Sequence, residues 1–79
     1  MGEVAYPVGL QKYIDTVKQL KLKADNEGAA RFYEWAIFAA MQRPEEQQIQ
    51  KFFFERYGTS QTVLEACQWF IEDVNKGVF

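Results

Sequence analysis

The sequence predicts an all-α fold: a compact four-helix domain, two αα-hairpins packed as an antiparallel or crossed bundle. Three observations lead there. Apolar residues recur three and four apart in four separate segments, the signature of an amphipathic helix. Capping or helix-breaking residues bound each segment. No segment alternates apolar and polar with the period of two that a half-buried strand requires, and the aromatic run Lys51-Phe52-Phe53-Phe54 sits among Glu and Gln with no such period.

The first helix is expected near 7–24. Pro7 suits a first helical turn, and Leu10, Tyr13, Ile14, Val17, Leu20 and Ala24 fall on one stripe. The second, near 26–42, follows Asp25 and Asn26, both good N-caps, with Glu27 as a favourable first-turn acid. Its stripe is Ala29, Phe32, Tyr33, Ala36, Ile37, Ala40 and Met41. Pro44, Glu45 and Glu46 open a third near 44–57, with Ile49, Phe52, Phe53 and Tyr57 on its stripe and Gly58 as a left-handed residue closing it. Thr59 or Ser60 caps the fourth, near 60–76, which turns Val63, Leu64, Cys67, Phe70, Ile71 and Val74 inward and stops at Lys76 and Gly77. The expected core is Tyr13, Val17, Phe32, Ile37, Phe52, Phe53, Val63, Phe70 and Ile71. The linkers are a few residues each, which favours a compact bundle over a rod.

The 79 residues form one domain, 1–79, and with 48% hydrophobic and 16% aromatic residues the chain is equipped to fold. The residue inventory excludes much chemistry. Without a histidine the commonest general acid–base and metal ligand is missing. The single cysteine, Cys67, can form no internal disulfide and no thiolate metal site, and at helical spacing with Val63, Phe70 and Val74 it reads as a small core hydrophobe. There is no glycine-rich phosphate loop. The expectation is a protein that is not an enzyme, with no catalytic residue, no metal and no cofactor. The N-terminal residues lack a signal peptide's basic start and apolar stretch, and charged or amide residues interrupt every apolar run, so the reading is cytoplasmic and without a membrane partner.

Four large aromatics fall outside the simplest core stripes. On the second helix Trp35 and Phe38 lie opposite the stripe, with Arg31 one turn before Trp35 and placed for a cation–π contact. On the third Phe54 falls off the stripe, and on the fourth Trp69 lies on the flank among Glu65, Glu72 and Asp73. Aromatic residues and arginine are enriched at interface cores. Arg31, Trp35, Phe38, Phe54 and Trp69 are therefore the candidate partner-binding residues. The function expected is that of a protein-interaction module: a small regulator, an inhibitor of the kind phage and mobile elements encode, or an accessory subunit. The partner is another protein or a second copy of the chain.

The alternative is a helix-turn-helix DNA-binding regulator using the helices at 44–57 and 60–76. The stretch Phe54 to Leu64 resembles that motif, with a turn glycine, a polar cap and a hydrophobic residue six past the glycine. It departs from it in having Phe54 where a small residue lets the helices close. The would-be recognition helix also carries Glu65, Glu72 and Asp73 and no base before Lys76, and the net charge is −2, so phosphate contacts are scarce and nucleic acid is the less favoured partner.

Overall fold

The computed structural model describes residues 5–37 and 47–79, with the side chains of residues 36 and 37 left aside. Among them lie a 3-10 turn at Val8–Leu10 and four α-helices: α1 Gln11–Leu20, α2 Asn26–Phe32, α3 Gln47–Tyr57 and α4 Val63–Asn75. A π-helical turn, Tyr33–Ile37, continues α2. No strand occurs among the described residues, so the all-α four-helix fold read from periodicity is the fold observed. No helix among them is long and apolar enough to cross a membrane. The end of the second predicted helix (38–42) and the start of the third (44–46) lie outside the described residues.

α4 is the hub. It packs against α1, α2 and α3, and its contact with α2 is the most extensive among the described residues. Phe70 of α4 lies at the centre of an aromatic cluster, stacked on Phe32 at 5.1 Å and tilted against Phe53 at 5.0 Å and Phe79 at 5.6 Å. Rings in this range contribute roughly 0.5–1.5 kcal/mol per pair beyond the area they bury. Around them Leu10, Tyr13, Ile14, Val17, Leu22, Ala29, Ile49, Tyr57, Cys67, Ile71 and Val74 complete the buried core. Tyr6 meets Phe79 edge-on at 5.5 Å, so a residue near each end of the chain closes the same cluster.

The helix ends account for most differences from the sequence reading. α1 ends at Leu20, not 24, because Lys21 adopts a left-handed conformation at φ 52°. Leu22 N–H then donates to Val17 O at 3.1 Å and Lys21 N–H to Lys18 O at 3.3 Å, the two reversed bonds of a Schellman motif. The turn delivers Leu22 into the core, whereas Leu20 and Ala24, expected on the buried stripe, are exposed. Asn75 Nδ2 ties this turn to the end of α4 through Leu22 O, at 3.1 Å. α4 ends the same way: Gly77 is left-handed at φ 76°, Val78 N–H donates to Asp73 O at 3.0 Å and Gly77 N–H to Val74 O at 3.1 Å.

Asp25 caps α2 as expected, its Oδ1 accepting from Gly28 N–H at 2.7 Å. Gly28 is required there, since a Cβ would overlap the carbonyl oxygen of Lys23. At the α3–α4 linker the structure departs from the sequence-based expectation at two positions. Gly58 is not left-handed; it is a glycine because a Cβ would overlap Phe54 O. The cap of α4 is Thr62 and not Thr59 or Ser60, its Oγ1 accepting from Glu65 N–H at 3.0 Å. α4 therefore starts later than expected, and Val63 and Leu64, read as inward, stand at its first exposed turn. Phe52 and Phe53 are half-buried against the core and not fully inside it. Tyr13, Val17, Phe32, Phe70 and Ile71 are buried as expected.

Candidate functional site

The linker from α3 to α4 is ordered by its own side chains. Ser60 N–H donates to Tyr57 O and Ser60 Oγ to Thr62 O, both at 3.0 Å. Glu65 reaches back to accept from Gln61 N–H at 2.9 Å while its own N–H is capped by Thr62, a variant of the reciprocal capping box. Tyr57 holds the two helices together: its hydroxyl donates to Asp73 Oδ2 at 2.8 Å, and Arg56 Nε donates to the same oxygen at 3.0 Å. Burial, reinforced by the carboxylate beside it, pushes the Tyr57 hydroxyl well above the ordinary tyrosine range.

Between these fixed helices runs an apolar groove of about 410 Å³. Ile49, Tyr57 and Cys67 are its buried floor, Phe53 and Ala66 its half-buried walls, and Phe54 and Val63 its exposed rim. Gln50, Ser60, Gln61 and Thr62 add polar but uncharged atoms, so none of the described lining side chains carries a formal charge, and the Glu65 carboxylate lies just outside them on Gln61 N–H. Phe54 is 78% exposed and Val63 52%. Single exposed apolar residues need no explanation, but a ring and a branched side chain flanking an apolar groove form a contiguous patch. The Cys67 thiol, pushed up to about 12 by burial, stays protonated near neutrality and is no activated nucleophile.

The five candidate residues separate in space and exposure. Phe54 lines the groove. Trp35 does not; it is 51% exposed, sits in the π-helical turn and meets Tyr13 edge-on at 6.3 Å. Arg31 is exposed one turn earlier, but the described cation–π contacts are Lys12 over Tyr13 and Arg56 over Tyr57 and Phe79, so the anticipated pairing with Trp35 is not formed. Trp69 is half-buried, packed on the core beside Arg56, Tyr57 and Asp73. Phe38 lies outside the described residues. Val63 was not among the candidates, yet a signal was present: of Thr59, Ser60 and Thr62, only Thr62 has a glutamate three residues on, which marks it as the cap and Val63 as the first helical residue.

Comparison of the chain with family models, with curated proteins and with solved structures finds no match. The groove and its rim are therefore interpreted on their own chemistry.

Proposed function

We propose that the protein is a non-enzymatic protein-interaction module, a small cytoplasmic regulator, inhibitor or accessory subunit, and that it docks through the groove between α3 and α4. The observation that carries this reading is Phe54, a large ring 78% exposed at the rim of a groove whose described lining is mostly apolar and without formal charge. Interfaces are distinguished by aromatic anchors and by depletion of charge at their centre, and this patch has both properties. The backbone on either side is already fixed by the Thr62 cap and the Tyr57–Asp73 bond, so little ordering would accompany binding. Trp35 with Arg31 is a second, smaller candidate contact.

The chain's inventory supports the absence of catalysis: it has no histidine, and its one thiol is buried with a raised pKa. The test is affinity capture with the native chain against Phe54→Glu and Trp35→Ala, each first verified as folded by circular dichroism. Loss of captured proteins in Phe54→Glu and retention in Trp35→Ala is expected. Identical capture by all three would refute the groove as the docking surface.

A further inference from the structure

We infer that Gly77–Phe79 is a latch that swings about Gly77, opens without unfolding of the helices, and is held closed by Tyr6 across the aromatic cluster. The latch stands apart from the interaction-module reading, since neither it nor the rings it meets are among the described residues lining the α3–α4 groove.

Gly77 supplies the pivot. It is left-handed at φ 76°, and no atom lies within 4 Å of the place a Cβ would take, so the chain stands clear of its neighbours there. Among the described residues, the backbone beyond the pivot is tied to α4 by one bond, from Val78 N–H to Asp73 O at 3.0 Å. Segments with so few backbone bonds open locally at less cost than the whole fold. Side chains do the holding. The Phe79 ring meets Phe70 at 5.6 Å, Phe52 at 6.0 Å and Tyr6 at 5.5 Å, and the Arg56 guanidinium lies over it at 5.7 Å. Phe70 is fully buried and Phe79 only half-buried, so Phe79 covers the centre of the core without belonging to it.

Three of these contacts come from α3 and α4, while Tyr6 comes from the segment before α1 and is itself anchored. Its hydroxyl donates to Gln11 Oε1 at 2.7 Å, and Gln11 Nε2 donates to Asp15 Oδ1 at 2.9 Å. Tyr6 is thus mounted on α1 and Phe79 on α4, and their edge-on pair joins the two mounts. Coupling of this kind is reciprocal: whatever draws Tyr6 away loosens Phe79 by the factor by which loss of Phe79 loosens Tyr6. The pair therefore acts as a switch in which an event at one segment uncovers Phe70 from the other.

Native-state hydrogen exchange tests this on the full chain. The Val78 amide, bonded to Asp73 O, reports the latch, and the Phe70 and Ile71 amides within α4 report global unfolding. In the native chain Val78 should be protected at least about tenfold less than Phe70 and Ile71. Tyr6→Ala should lower Val78 protection by a further factor of about 3 to 10, the range that one ring pair spans, and Tyr6→Phe, which keeps the ring, should restore most of it. In Phe79→Ala the added Tyr6→Ala should change nothing more, because its partner is gone. Phe79→Leu keeps apolar bulk without the ring and should show the same indifference, which covers a loosening of the core by alanine. Equal protection of Val78 and Phe70 overturns the inference, since the segment then opens only with the whole fold. So does Val78 protection that Tyr6→Ala leaves unchanged, or an effect of Tyr6→Ala that persists undiminished in both Phe79 variants.

Discussion

Two helices of this protein end in the same backbone motif with different residues at its left-handed position, Gly77 after α4 and Lys21 after α1. The left-handed conformation costs a residue with a Cβ roughly 1–2 kcal/mol, whereas glycine adopts it freely. Replacing Lys21 by glycine removes that strain but enlarges the freedom of the unfolded chain, which costs about 0.4–1 kcal/mol. The Lys21 side chain is exposed, so little else is lost. Lys21→Gly should thus stabilise the fold by about 0.5–1 kcal/mol, roughly 3–6 °C in Tm for a domain of this size. Gly77→Ala is the mirror experiment. A Cβ there would meet no atom within 4 Å, so the penalty is conformational alone, and destabilisation of about 1 kcal/mol is expected. Urea denaturation followed by far-ultraviolet circular dichroism reads both as a shift in midpoint with an unchanged slope. If Lys21→Gly is neutral or destabilising while Gly77→Ala costs stability, Lys21 is not strained and the reasoning fails.

Three further expectations follow from side chains already placed. Gly28→Ala should destabilise by about 2 kcal/mol or more, since its Cβ overlaps Lys23 O and opening that contact also disturbs the Asp25 cap; thermal unfolding measures it. Cys67, its thiol buried and pushed up to about 12 against an ordinary value of 9.0, should react with iodoacetamide at neutral pH much more slowly in the folded chain than in urea, and equal rates would show the thiol to be accessible. Tyr57 is held above its ordinary value of 10.0 in the folded state, so its contribution to stability is complete below about pH 10 and is lost as pH rises beyond it. Urea midpoints from pH 8 to 11 should fall more steeply above about pH 10 in the native chain than in Tyr57→Phe.

The helices were legible because each has a period and a boundary, and both are local. Their ends were less so, for physical reasons that differ from case to case. A left-handed lysine leaves no mark in the sequence, so periodicity alone carries α1 on through Lys21 to 24. At α4 the mark was present in Thr62 and Glu65, but two earlier hydroxyl residues competed with it. That shift of the cap turned Val63 from a core residue into the groove's rim. Phe54 is legible as off the stripe of α3, and the structure leaves it exposed at the edge of the groove that α3 forms with α4. Trp69 was harder to judge: α4 is enclosed by three helices and buries a wider arc than one stripe, which takes the ring partly into the core. Trp35 lies in a π-helical turn, where a wheel drawn at 100° per residue loses its phase, yet it is exposed as its place off the stripe predicts.

The hub position of α4 also bears on the order in which the chain is made. Synthesis proceeds from the N-terminus, and domains generally fold once the segments they need have emerged. Here Phe32, Val17, Ile49 and Tyr57 all emerge before Phe70 and Ile71, the residues around which they gather. Until then α1, α2 and α3 carry apolar faces with no central helix to cover them. A nascent chain ending near Thr62 is thus a client for whatever binds exposed apolar helices in the cell, and a stop codon or proteolytic cut before α4 removes the centre of the molecule instead of trimming its edge.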